Sequence, residues 1–155
     1  MLRELKYYEC YQYIFLSVRI PIFERSLCIA NPFHLLFSPT GYSCQYRYDS
    51  QAFLFSLVNK PGWAPVKLPQ TGKYSYYNFH SIYDCSSYGP TFGGGFDIHI
   101  ANYASSSSSS YANLGHTYSP PSGYNYSSTF ARTFLAGGSN YRFTPDEVET
   151  FYETT

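Results

Sequence analysis

Between Tyr74 and Ala131 the sequence contains no lysine or arginine. Phosphate contacts come largely from those side chains, so this stretch has little with which to grip a nucleic-acid backbone. The whole chain balances 10 Lys+Arg against 10 Asp+Glu, and a formal net charge of zero recruits neither nucleic acid nor an acidic membrane. Charged residues make up 13% of the chain, about half the usual share. No apolar run is long enough to cross a membrane, which takes ~18 to 20 residues. The nearest approach, "YIFLSVRIPIFERSLCIANPFHLLF", is interrupted by Arg19, Pro21, Glu24 and Arg25. It fails as a signal peptide too, because "YIFLSV" is short and no small-residue cleavage site follows. The reading is therefore no nucleic acid and no membrane insertion.

Cysteine is sparse as well. Cys10, Cys28, Cys44 and Cys85 include no C-x-x-C pair, and four in 155 residues do not make a disulfide framework. They read as reduced thiols of a cytoplasmic protein. A sequon at Asn125-Tyr126-Ser127 has meaning only in a secreted chain.

What the chain has in excess is aromatic surface: 19 Tyr and 13 Phe, with aromatics at 21% of all residues. Such side chains favour pleated, half-buried surfaces, which points to β structure in one domain large enough to bury a core. Residues 1–44 show no clear period, and a helix across 2–18 is allowed but poorly capped. "QAFLFSLVN" at 51–59 is apolar on both faces, with Leu54 on one and Phe53 and Phe55 on the other, as a covered central strand would be. "KPGWAPVKLPQTG" is turn chemistry around one short extended piece, and "KYSYYNFHSIY" at 73–83 reads as an aromatic strand. "FDIHI" alternates, with Phe96, Ile98 and Ile100 on one face and Asp97 and His99 on the other, and reads as a half-buried strand. Six serines at 105–110 read as a surface excursion, with "YANLGHTY" as one more short strand. "SSTFARTFLAGG" carries a helical pattern ending at glycine. "TPDEVETFYE" divides two rules: a capping box calls a helix, while Val148, Thr150 and Tyr152 alternate as a strand. Four of the ten acids (Asp146, Glu147, Glu149, Glu153) fall in the last ten residues and read as a solvated end.

Candidate sites are few. The glycines of "YGPTFGGGFDIHI" do not form a phosphate loop: they are contiguous and precede a strand, and Gly95 and Phe96 stand where a Walker motif needs Lys and Ser or Thr. Glycines before a strand more often permit a positive φ or a close backbone approach. His80, Asp84, Cys85 and His99 lack the tight spacing of a zinc site. A nucleophile can be drawn from Cys85 with His80 or His116 and Asp97, but nothing marks a nucleophile turn. Abundant aromatics would also suit sugar stacking, although packing explains them more simply. No residue is assigned a catalytic, cofactor-binding or metal role, and no cofactor is expected.

Four blocks, taken in order, resemble a TLDc domain: "AFLFSLVNK", "SSYGPTFGGGFDIHIA", "SYANLGHTY" and "TFLAGGSNYRFTPDEVETFYE". The likeness spans about residues 45–153 and is nearest to copies in invertebrate and protist multi-domain proteins. It implies a mainly β fold with minor α, an antiparallel two-sheet β-sandwich. "DEVETFYE" would be its last core strand, and Gly93, Gly94 and Gly95 the turn into a central strand. No reaction is established for the family, so the resemblance implies a non-catalytic protein-interaction module, linked to oxidative-stress protection and to regulation of the vacuolar-type proton pump. The alternatives are a hydrolase or redox enzyme using Cys85 or His116, or a carbohydrate-binding sandwich. Residues 1–44 do not carry the family's opening pattern. They are expected to be foreign to the domain (a mistaken reading frame, a retained intron or a truncated product) or poorly ordered, leaving the sandwich incomplete on that side with an edge prone to pairing.

Overall fold

The structure, a computed structural model, describes residues 14–20, 25–31, 44–57, 59, 62–72, 80–85 and 87–152. Among the described residues eleven strands follow one another, and the backbone pairs them antiparallel into two sheets. They are β1 (Ile14–Ile20), β2 (Arg25–Asn31), β3 (Gln45–Arg47), β4 (Phe53–Ser56), β5 (Val66–Leu68) and β6 (Ile82–Asp84), then β7 (Thr91–Phe92), β8 (Ile98–His99), β9 (Ser110–Ala112), β10 (Arg142–Phe143) and β11 (Glu147–Tyr152). A five-stranded sheet runs β11-β1-β2-β4-β5 and a six-stranded sheet β10-β9-β8-β7-β6-β3. The fold is mainly β. Its only described α-helix, α1 (Thr129–Phe134), begins where Ser128 accepts the Ala131 amide at 3.2 Å and ends before Gly137, whose φ of +81° suits only a residue without a side chain.

Residues ahead of Gln45 supply inner strands. All of β1 pairs with β2, its other edge pairs with β11, and β2 pairs in turn with β4. β4 therefore has a strand on each side, β2 and β5. The helix expected across 2–18 is not formed over 14–18, where "IFLSVRI" is β-branched and aromatic enough to accept a partner on either side; residues 2–13 lie outside the described set. The conflict over "TPDEVETFYE" resolves as the strand β11, because a neighbouring ladder outweighs a capping signal worth about 1 kcal/mol. Of the strand expected at 73–83, Ile82–Asp84 is present as β6, and 73–79 lie outside the described residues.

One buried cluster draws on both sheets and the helix: Leu54 and Leu68, then Ile82, Phe92, Ile98 and Ala112, then Ala131 and Phe134. β4, an inner strand, buries Leu54 and Ser56 and leaves Phe53 and Phe55 half-buried. A polar node also joins the connections. Ser81, fully buried, places its hydroxyl 3.0 Å from Gln70 Oε1 and 3.2 Å from the Asp49 carbonyl, while the Gln70 amide donates to Asp49 and Ala52 carbonyls. Tyr118, also fully buried, donates its hydroxyl to the Ser81 carbonyl at 2.9 Å. Satisfied partners make these polar groups tolerable inside an apolar core.

Two local expectations need correction. The serine run is not wholly a surface excursion: Ser110 opens β9, is fully buried, and accepts the Ala101 amide at 3.0 Å. "FDIHI" is not a half-buried strand. Only Ile98 and His99 are in the ladder, and the polar side is buried too, with Asp97 at 0% and His99 at 8% exposure. Phe96 has a φ of +53°, a left-handed backbone that breaks the alternation just before the strand begins.

Candidate functional site

The glycine turn builds one end of the site. Strands β7 and β8 are joined by a turn in which the Phe96 amide donates to the Gly93 carbonyl at 3.0 Å. Gly93 has a φ of +85°, and a Cβ there would fall against the Asp97 carboxylate. A Cβ on Gly94 would meet the His116 ring at 2.7 Å. Gly93 requires glycine for conformation and space and Gly94 for space alone, and no phosphate loop is needed to explain them.

Close packing at Gly93 lets Asp97 act as an anchor. Its Oδ1 accepts the amides of Gly115 at 2.6 Å, His116 at 3.0 Å and Tyr118 at 3.4 Å, and its Oδ2 accepts that of Thr117 at 2.9 Å. One carboxylate thus fixes the backbone of 115–118 beside the turn. Burial pushes its pKa up to about 7, with the four amides pulling the other way. Thr117 completes the join by accepting the Gly94 amide at 2.9 Å, and its hydroxyl lies 3.2 Å from His116 Nδ1.

Flipped out by its left-handed backbone, Phe96 shares a face with His99 rather than with Ile98. Ring centroids of Tyr83, Tyr88, His99, Tyr111 and Tyr46 lie between 5.1 and 6.5 Å from it. Strand register explains the gathering. Tyr46 is opposite Tyr83 in the β3–β6 pair, and His99 is opposite Tyr111 in the β8–β9 pair, so all four point away from Ile82 and Ile98. Beyond Tyr111 lies Tyr141, with the Arg132 and Arg142 guanidiniums 5.4 and 5.5 Å from its ring. The result is an aromatic face on the six-stranded sheet. Tyr88 at 43% and Tyr141 at 36% are its open positions, and Phe96 is half-buried at its centre. Burial pushes the Tyr46 and Tyr111 phenols up, so the face carries hydroxyls at neutral pH.

The polar residues that a catalytic or metal reading would use are separated or engaged. Asp84 is ion-paired with Arg47 at 2.7 Å. Thr91, which donates its hydroxyl to the Gly89 carbonyl, also lies 2.7 Å from His99 Nδ1 and so accepts from it, and burial pushes the His99 pKa down. His80 and His116 meet edge to face with centroids 6.4 Å apart. His116 reaches Asp97 through its backbone amide. Among the described residues, no group of three or more His, Cys, Asp or Glu is placed to hold a metal ion.

Cys85 departs furthest from expectation. It is joined by a disulfide to Cys44, so the reading of four reduced thiols is corrected for this pair. The cause is register: Gln45 is opposite Asp84, and one step further along the same ladder sets Cys44 opposite Cys85, with Cα atoms 4.2 Å apart. No sequence spacing announces a pair 41 residues apart. Cys28 lies on β2, and Cys10 is outside the described residues.

No family model matches the chain, and neither a curated protein nor a solved structure was found to match it. No helix among the described residues is long and apolar enough to cross a membrane.

Proposed function

We propose that the chain is a TLDc-type protein-interaction module, an antiparallel β-sandwich that catalyses no reaction and binds through the aromatic face around Phe96. One contrast carries this reading. Asp97, Asp84, Cys85 and His99 are each committed to a structural bond, while Tyr88 and Tyr141 are open to solvent. An enzyme using Cys85 needs a thiolate, which the disulfide withholds for as long as it is closed. Half-exposed tyrosines beside arginine are the side chains that dominate protein interfaces, since they bury much area at little cost in conformational freedom. The proposal extends to a cytoplasmic setting, a part in oxidative-stress protection, and the vacuolar-type proton pump as partner.

The test is capture of that pump's peripheral subunits by the immobilised full chain, beside a Tyr88→Ala/Tyr141→Ala double variant of unchanged melting temperature. The expected result is capture by the wild type, weakened roughly 30-fold or more in the variant, as for loss of interface anchors. Equal capture by both would refute the face, and no capture by the wild type would remove the pump. A flat glycan array separates this reading from a sugar-binding one.

A further inference from the structure

The Cys44–Cys85 disulfide contributes no ring to the aromatic face, and three observations set it apart from a buried structural bridge. Its two ends are unequal: Cys44 is exposed, whereas Cys85 is 8% exposed. A hydroxyl attends the buried end, with Ser87 Oγ 3.1 Å from Cys85 Sγ and 4.0 Å from Cys44 Sγ. Finally, the strand next to the exposed cysteine is short and lies at an edge. β3 is three residues long and lies at the edge of its sheet, paired with β6 alone among the described strands.

We propose that this disulfide is a site of thiol–disulfide exchange with an external dithiol, and that it latches β3, and with it Tyr46, onto the aromatic face. The thiolate of the dithiol attacks the accessible sulfur, Cys44 Sγ. A mixed disulfide forms there and the Cys44–Cys85 bond breaks. Cys85 Sγ leaves as a thiolate, which the Ser87 hydroxyl stabilises by donating to it, and then takes up a proton. The second thiol of the reagent attacks the mixed disulfide and releases Cys44. The protein disulfide has gained two electrons and two protons, and the dithiol has become a disulfide. Exchange is faster when the leaving thiolate is better stabilised, which is what the placement of Ser87 provides.

Breaking the bridge leaves β3 held by short-range contacts: its ladder to β6, the Arg47–Asp84 ion pair and the Tyr46 hydroxyl on the Gly94 carbonyl at 3.0 Å. A three-residue ladder at a sheet edge is weak, and one part-buried ion pair beside it does not replace a covalent tie, so β3 opens more often once reduced. Tyr46 stacks edge-on with His80 at 4.3 Å, lies beside Tyr83 at 4.9 Å and is 6.5 Å from Phe96, so its departure uncovers those rings. In a reducing compartment disulfides are characteristically transient and sensing rather than permanent. The consequence for binding rests on the function proposed above; the exchange chemistry does not.

Dithiothreitol is the probe, applied to the full chain, with quenching by alkylation and mass spectrometry to follow the Cys44–Cys85 bridge. The expected course is a mixed adduct on Cys44 and never on Cys85, followed by loss of the bridge. Ser87→Ala should slow bridge opening by roughly three- to tenfold while the reduced proteins melt alike. Hydrogen exchange at the amides of 45–47 should rise roughly tenfold or more on reduction, with those of β8 and β9 unchanged, and Cys44→Ser should exchange like the reduced wild type. Failure of the bridge to form in glutathione-oxidised protein, or unchanged exchange at 45–47 on reduction, would overturn the proposal. An adduct on Cys85, or full-speed opening in Ser87→Ala, would overturn the assigned direction of attack. Capture that responds to Tyr88→Ala but not to reduction would sink the latch and spare the binding face.

Discussion

Asp97 offers the most direct trial of how this fold is held, because two forces on one carboxyl oppose each other. Full burial favours the neutral acid, and four backbone amides favour the anion. The balance raises the folded pKa from its ordinary 3.8 to about 7. A carboxyl with a raised pKa holds its proton more tightly folded than unfolded. Its contribution to stability is therefore complete below pH 3.8 and is lost as the pH climbs through 7. A shift of roughly three units, at about 1.36 kcal/mol each, makes the loss about 4 kcal/mol between pH 4 and pH 8.

Asp97→Asn removes the titration and keeps the shape. The amide oxygen can take the Oδ1 position, where Gly115 and His116 donate, but its NH2 then confronts the Thr117 amide in place of Oδ2. One lost bond with an unpaired donor costs about 1–2 kcal/mol at any pH. Urea unfolding of both proteins from pH 4 to pH 8 measures the difference directly, since the other titrating groups are common to both. The expected difference curve has the wild type ahead at pH 4 and the variant ahead at pH 8, with the change concentrated between pH 4 and 7. A wild type that gains on the variant as the pH rises would refute the reasoning, because the amides would then outweigh burial.

Two further predictions concern the same corner. Gly93→Ala should destabilise by about 2–4 kcal/mol in chemical denaturation, since a side chain is strained at φ +85° and its Cβ has no room beside Asp97; a loss under 1 kcal/mol would show that the turn relaxes. In histidine NMR titrations His116 should titrate below its ordinary 6.5, chiefly through burial and secondarily through His80; His80→Gln should restore part of that shift, and no response would remove the second cause.

Much of the fold follows from local pattern. Aromatic and β-branched runs become strands at β4 and β6, the strand expected over "YANLGHTY" is met only at Tyr111 and Ala112 in β9, the "SSTFARTFLAGG" pattern becomes α1, and turn residues bracket β5. Where the sequence misleads, a long-range partner decides. At "IFLSVRI" the β-branched and aromatic residues favour a strand without excluding the helix allowed there, and pairing with β2 and β11 on both sides decides it. Glu147 fits a capping box, but its backbone pairs with Arg19. Ladder hydrogen bonds from chain more than a hundred residues away are invisible to a rule that reads ten residues at a time.

The candidate site was legible in its materials and hidden in its arrangement. Aromatic excess announces sheet surface, but which rings share a face depends on register and on every residue staying extended. Phe96 breaks that condition. With a φ of +53° it leaves the side of Ile98 and Ile100 and comes to lie within 6.0 Å of His99 and 5.1 Å of Tyr83, rings that strict alternation would have set on the opposite face. The glycines ahead of it are the only local hint, since a turn crowded enough to exclude side chains at Gly93 and Gly94 is one that can also twist the residue following them. The disulfide obeys the same logic. Cys44 and Cys85 look unrelated until β3 and β6 are paired, after which their opposition is forced by the ladder. A cysteine from which the sequence allows a nucleophile to be drawn is thereby held in a disulfide, and the chemistry open to it changes from attack on a substrate to exchange with another thiol.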